Sequence, residues 1–356
     1  MILGKIFNHI GFDRIKEDLF KDSVISRITH PGSKLELSAY LRENHNRDIS
    51  ADAIYFFMDR LNSKYKAQVE DISFAHTKKL LQGNIGIVFY DMTTIYFESS
   101  QPDDLRIPGF SKDGKHQHPQ IFLGLLVGKN GYPIGYDIFE GNIFEGHTLI
   151  PILERFQNRF LLDKPTVVAD SGLLSNNNLR ALKDAGYTFI LGARIKNESS
   201  SIIKNIEKLQ LGNNQVAGIK KGSDSTLFIS YSEKRLEKSL NTGRLTKSNI
   251  NNRGYNKYLQ MHGELKITID YDKFRTDAKW DGLKGYLTNT NLSGNEVIDS
   301  YNNLWKIEKA FRISKTVFKV SQITGSVVCA QSEFYTMLFC FLYEFSRRNF
   351  IPRIYL

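Results

Sequence analysis

Three acidic residues, far apart along the chain, lie where short elements could deliver them to one point. Asp91 closes the apolar run Ile85 to Tyr90, Asp170 closes Thr166 to Ala169, and Glu308 falls in a stretch of helical spacing. Open sheets place ligands and chemistry at strand ends, so two such aspartates can meet. Each alone fits equally the ordinary work of aspartate in turns and helix caps. On a continuous helix, at about 100° per residue, Tyr301, Glu308, Arg312, Lys315 and Lys319 share roughly 60° of arc. Leu304, Ile307, Phe311 and Phe318 form the adjoining apolar stripe. Taken alone, that face is an acid–base ladder of small energetic worth. Together, the three carboxylates suit hard divalent cations, and no His/Cys cluster competes for a metal. A pair of Mg²⁺ or Mn²⁺ ions can activate water or a 3′-hydroxyl and stabilise the leaving oxygen of a phosphodiester.

The charge balance points to the same class of partner. Among 356 residues, 48 Lys and Arg oppose 38 Asp and Glu, a formal net charge of +10. A polyanion, nucleic acid before membrane, is the expected partner. The excess is concentrated between Arg194 and Lys257, where thirteen basic residues meet five acidic ones. Such a surface can follow a strand by phosphate contacts, although a merely solvated face has the same composition. The two cysteines, Cys329 and Cys340, sit in an apolar C-terminal stretch and read as buried packing residues, which excludes a disulfide framework. The apolar run Phe334 to Phe345 is shorter than the ~20 residues that span a bilayer. A cytoplasmic, nucleoid-associated location without a membrane role is expected.

The elements that must position these residues follow from periodicity. The first 82 residues read as a helical region broken at Pro31 to Ser33, with Ser50 or Asp52 placed to cap a helix containing Ile54, Phe57, Met58 and Leu61. Two short helices across the turn at Asn44 to Asp48 resemble a DNA-reading helix-turn-helix, a pattern also common in plain helical bundles. Residues 83–193 read as strands (Ile85 to Tyr90, Thr94 to Glu98, Gln120 to Val127, Ile134 to Phe139) followed by a β-α-β-α-β pattern. An α/β (α+β) fold follows, a mixed sheet with flanking helices. Residues 194–283 read as a basic, mainly β insertion, and 284–356 as the last strand and C-terminal helices, with one helix running from Gly294 to about Val320.

Several short segments together resemble a known family. They are Tyr90-Asp91-Met92-Thr93-Thr94-Ile95-Tyr96-Phe97-Glu98, Gly109-Phe110-Ser111-Lys112, Ala169-Asp170-Ser171-Gly172-Leu173, and Leu304-Trp305-Lys306-Ile307-Glu308 followed by Phe311-Arg312 and Lys315. The chain resembles the DDE transposases of bacterial insertion sequences, insertion-sequence-4 type, over nearly its whole length from Gly4-Lys5-Ile6-Phe7-Asn8 onward. That family carries Tyr, Arg, Glu and Lys at fixed spacing around its acidic helix. Tyr301, Glu308 and Lys315 match, while Leu304 stands in the Arg position, a lost DNA contact that Lys306 could replace. The resemblance implies a ribonuclease H-like core with Asp91, Asp170 and Glu308 as catalytic, metal-binding triad for two Mg²⁺ or Mn²⁺ ions. It also implies DNA contacts by Tyr301, Lys315, Arg312 and Lys306. Double-stranded DNA, as terminal inverted repeats and target, and a dimer on paired ends are the expected partners. The reaction implied is cleavage at element ends and transfer of the 3′-hydroxyl into target DNA. Its rivals are a same-fold nuclease without strand transfer and an inactive DNA-binding remnant acting as a repressor.

Other polar residues have plainer expected roles. Glu98, Asp137, Glu140 and Glu145 read as solvated or turn acids rather than substitutes in the site, and His116 and His118 as loop residues although their spacing could bind a metal; Trp280 and Trp305 read as core, with stacking of an aromatic of the insertion on an unpaired base at a hairpin or flap as the alternative.

Overall fold

The computed structural model describes residues 2–97, 102–109, 117–242, 259–262, 266–269 and 271–316. Glu98, His116, the segment Phe110 to Lys112, Cys329, Cys340 and the C-terminal helices expected after residue 316 lie outside the described residues. The chain divides into two compact units, Met1–Thr188 with Ser300–Leu356, and Phe189–Asp299. No described helix is long and apolar enough to cross a membrane.

The first unit begins with helices α1 (Ile2–Ile10), α2 (Asp18–Thr29), α3 (Lys34–His45), α4 (Ala51–Arg60) and α5 (Lys66–Leu80). Apolar residues at three- and four-residue spacing form their core: Phe7, Phe12 and Phe20 are buried, with ring centroids 5.4–5.7 Å apart. Ser33 and Glu36 close a reciprocal capping box at α3, and the expected Ser50 cap accepts from the Ala53 N–H at 3.1 Å. The turn between α3 and α4 is tied by the Ser38 hydroxyl, which donates to the Ile49 carbonyl at 2.6 Å. A π-turn at Leu61–Tyr65 carries α4 directly into α5.

The sheet of this unit comprises β1 (Ile87–Tyr96), β2 (Ile107–Pro108), β3 (Pro119–Gly128), β4 (Pro133–Glu140) and, after α6 (Leu149–Phe160), β5 (Thr166–Ala169), followed by α7 (Asn176–Asp184). β1 is central: it runs antiparallel to β3 and parallel to β5, while β3 also pairs antiparallel with β2 and β4. All ten residues of β3 are buried, which explains its near-continuous apolar sequence. The β3–β4 hairpin turns through Lys129–Gly131, where Asn130 and Gly131 take positive φ (71° and 84°), a region that glycine and asparagine adopt more readily than other residues. The two short strands expected on either side of Asp91 are one strand. Met92 to Tyr96 pair in unbroken register with Gly124 to Gln120, so cross-strand hydrogen bonding overrides the polar Asp-Met-Thr-Thr sequence.

Helices α5 and α6 meet β4 through polar as well as apolar contacts. Gly135 allows the approach of α6, since a Cβ there would lie 1.9 Å from the Phe156 ring. The Thr77 hydroxyl donates to the Pro133 carbonyl at 2.6 Å. Glu70, 2% exposed, receives both Arg155 (3.1 Å) and Arg159, and these reach on to Asp137 (2.7 Å) and Asp71 (2.8 Å). Asp137 is thus an ion-pair partner, not the solvated or turn acid expected.

The second unit comprises β6 (Phe189–Ala193), α8 (Ser200–Glu207), β7 (Val216–Lys221), β8 (Ser225–Tyr231), α9 (Glu233–Thr242), β9 (Leu259–His262), β10 (Lys266–Ile269), α10 (Tyr271–Ala278), β11 (Leu283–Thr288) and most of α11 (Gly294–Asn302). Four strands pair antiparallel in the order β6-β11-β8-β7, and β9 pairs with β10 separately. The expected insertion, 194–283, lies inside this unit. The unit also takes in β6 and β11, because those two pair with each other. Helices alternate with strands where a mainly β segment was expected: Ile202, Ile203 and Ile206 recur at helical spacing in α8.

The chain returns to the first unit through α11 and then forms α12 (Trp305–Thr316). One helix was expected from Gly294 onward, but it breaks at Asn303-Leu304. There the N–H groups of Asn303 and Leu304 reach back only three residues, to Ser300 and Tyr301. Asn302-Asn303 is a poor helical pair because the amide side chains compete for backbone groups. Tyr301, on the α11 side of the break, is buried, while Glu308 on α12 is exposed.

Candidate active site

The pairing of β1 with β5 brings two of the three acids together. Their parallel register runs from Ile87↔Thr166 to Tyr90↔Ala169, so Asp91 and Asp170 each directly follow the last paired residue of two neighbouring strands. Tyr90 and Ala169 are fully buried, and alternation along β1 turns Asp91 to the face opposite Tyr90. Asp91 is half-buried and sits opposite Leu125; Asp170 is exposed at the strand's end. Asp170 Oδ1 accepts the N–H groups of Gly172 (2.7 Å) and Leu173 (3.3 Å), and Asp91 Oδ1 accepts that of Met92 (2.8 Å). Asp170 therefore forms the turn that its position allowed, and that turn fixes its carboxylate.

The third acid stands on a helix packed against the same strand. α12 lies on β1 and on the Lys129–Gly131 turn, burying Ile307, Ala310 and Phe311 and leaving Glu308 and Arg312 exposed. Among the described residues, no group of three His, Cys, Asp or Glu side chains is close enough to hold a metal ion. The donors available, two adjacent carboxylates and a glutamate on a helix against β1, have the all-oxygen chemistry that hard divalent cations take.

The basic and aromatic residues around α12 fall less uniformly than expected. Tyr301 and Leu304 are buried, at 8% and 7% exposure, so Tyr301 packs at the α11–α12 joint and does not stand on an open phosphate-contacting face. Trp305, expected in the core, is 52% exposed, with the Lys309 ammonium 5.9 Å from its ring centroid; Trp280 is buried. Trp305 leads α12 and so escapes the stripe formed by Ile307 and Phe311. Lys306 is half-buried, and its burial, then the neighbouring Lys129, hold its pKa below the usual lysine value. Lys129 was not among the expected site residues. Nothing in its local sequence, a hairpin turn, marks it; only the packing of α12 on that turn does. The side chain of Lys315 lies outside the described residues.

The family described as "Transposase DDE domain" matches residues 82–325. The chain is similar to the transposase for insertion sequence element IS1151 of Clostridium perfringens, with 26% identity over 186 residues. That match covers 45% of this chain and 37% of the relative, so the chain spans well under two thirds of the curated relative it matches. Among solved structures, it is similar to piggyBac transposase in a synaptic complex with hairpin DNA. The TM-score is 0.50 at 11% identity, covering 91% of this chain and 65% of the other. That likeness concerns the fold. The central β1, antiparallel to β3 and parallel to β5, is the expected ribonuclease H-like mixed sheet.

Proposed function

The chain belongs to the transposase DDE-domain family, and from that premise we propose that it cuts DNA at the ends of an insertion element and joins the freed 3′-hydroxyl to target DNA. The observation that supports this reading is that Asp91 and Asp170 each directly follow the last parallel pair of β1 and β5, inside the matched region. Asp91, Asp170 and Glu308 would hold the divalent cations, Mg²⁺ or Mn²⁺, expected as a pair. When bound, such ions lower the pKa of an attacking water or 3′-hydroxyl and stabilise the leaving oxygen. The chain's own residues do the rest. The backbone N–H groups of Gly172 and Leu173 hold the Asp170 carboxylate, and the packing of α12 on β1 sets Glu308 on the same strand's flank.

Arg312 is exposed one helical turn beyond Glu308, and Lys306 stands beside Lys129. These residues, with Lys315, would contact backbone phosphates and set the register of the DNA. Tyr301 supports the site from within, by packing at the start of α12. The net charge of +10 draws a polyanion to the surface, and two copies on paired DNA ends complete the proposed assembly.

The test is Mg²⁺-dependent joining of labelled element-end DNA to a plasmid, with Asp91→Ala as control. Joining that depends on Asp91 supports the proposal. Cleavage without joining would make the chain a nuclease of this fold, and binding without cleavage would make it a DNA-binding repressor. Near-normal joining by Asp91→Ala would overturn the assignment of the acids.

A further inference from the structure

A glycine in a turn has two separable causes: a backbone angle that side chains disfavour, or an approach too close for a Cβ. Gly172, two residues beyond the end of β5 at Ala169 plus one, stands in the turn that Asp170 closes, and it shows the second cause alone. It is not among the glycines of positive φ, so its backbone conformation does not call for glycine. A Cβ there would lie 2.9 Å from Asp170 Oδ1, 3.4 Å from Oδ2 and 3.6 Å from Cγ. Apart from its chain neighbours, the three nearest heavy atoms all belong to that one carboxyl group.

The two sides of this contact differ in stiffness. Leu173 is buried, and its carbonyl accepts the buried Asn178 amide at 2.9 Å and the Ser175 N–H at 3.1 Å. The backbone of the turn is therefore the fixed side. Asp170 is exposed, its Oδ1 accepts the Gly172 N–H at 2.7 Å and the Leu173 N–H at 3.3 Å, and its Oδ2 has no hydrogen-bond partner among the described residues. A methyl group at position 172 would thus displace the carboxylate and spare the fold. That small adjustment is large for a metal ligand, because Mg²⁺ takes its oxygens at ~2.0–2.1 Å in nearly ideal octahedral geometry.

We propose that Gly172 is a positioning residue for the cation site: the side chain it lacks, and not only the N–H it donates, keeps the Asp170 carboxylate in the orientation that ligation needs. The inference rests on the function proposed above, in which Asp170 is a metal ligand, and adds a residue that acts through it.

The experiment uses the full chain without DNA and Mn²⁺ alone, with the free ion followed by its electron paramagnetic resonance signal. Gly172→Ala is expected to bind Mn²⁺ about 10- to 100-fold more weakly than the wild type, the usual effect of losing a partner that orients a metal ligand. Its melting midpoint should stay within about 2 °C of the wild type, and its metal-free binding of element-end DNA should be unchanged. Raised Mn²⁺ should restore joining, since the ligand is displaced and not removed. Adding Asp170→Ala should abolish any change in midpoint, because the crowded carboxylate is then gone. Wild-type Mn²⁺ affinity in Gly172→Ala, with affinity lost in Asp170→Ala, would overturn the role of Gly172 and leave the acids in place. A lowered midpoint in Gly172→Ala that Asp170→Ala does not relieve would overturn it in favour of a plain turn glycine. Unchanged affinity in Asp170→Ala would bring down the assignment of Asp170 in the proposed function, and this inference with it.

Discussion

Replacing Glu70 separates two roles that its carboxylate plays. It is 2% exposed and accepts from Arg155 and Arg159, whose side chains are 30% and 27% exposed and have second partners in Asp137 and Asp71. Burial pushes the Glu70 carboxyl above its ordinary value, with Arg155 and Arg159 opposing. A raised carboxyl pKa means that the folded state holds the proton more tightly than the unfolded state. The stabilisation therefore belongs to the protonated form: it is present below the ordinary value of 4.5 and is lost as pH rises through the folded pKa. Glu70→Gln imitates that form and keeps an acceptor for the arginines. Its expected cost at neutral pH is under about 1 kcal/mol, and it should gain on the wild type as pH rises past the ordinary carboxylate range. Glu70→Ala removes both acceptor oxygens and leaves a void, while the arginines, partly exposed and still paired elsewhere, recover some of the loss. About 3 kcal/mol is expected, or roughly 6–12 °C in midpoint for a unit of this size. Urea titrations of the three chains at acid and neutral pH measure this. A Glu70→Gln variant as damaged as Glu70→Ala would show that the charge itself holds α5 to α6, and the reasoning from burial would fail.

Other outcomes follow from single contacts. Lys129→Ala and Lys306→Ala should each reduce the slope of log affinity for DNA against log salt by about 1, read by fluorescence anisotropy across a salt series; an unchanged slope would remove that lysine from the phosphate contacts. His76 is 5% exposed, and burial, then His9 and Lys79, lower its pKa to about 4. The unfolded chain takes up its proton near 6.5, so stability should fall by about 3 kcal/mol as pH drops from ~6.5 to ~4, and His76→Gln should flatten that part of the profile. Gly135→Ala forces a Cβ to 1.9 Å from the Phe156 ring and should cost about 1–3 kcal/mol in thermal melts; an unaltered midpoint would mean that α6 can shift freely.

Local signals were legible wherever they were strong and short in range. The Ser50 cap, the strands within Gln120 to Val127 and Ile134 to Phe139, the helix near Leu149 to Phe160 and the strand before Asp170 all follow from side-chain period and capping chemistry, which act within a few residues. Asp91, Asp170 and Glu308 are candidates in the sequence because two follow short apolar strands, one falls in a helical stretch, and the segments around them resemble a known family. That the two aspartates could meet is an expectation of the sequence; which strands pair to bring them together is not legible there. Asp91 and Asp170 stand 79 positions apart in the chain, and only the parallel pairing of β1 with β5 makes them adjacent. The continuity of β1 through Asp91, the break at Asn303, the burial of Tyr301, the exposure of Trp305, and the meeting of Lys129 with Lys306 share that cause. Each depends on which distant segment occupies the other side of a hydrogen bond or a packed face, and no local propensity carries that information.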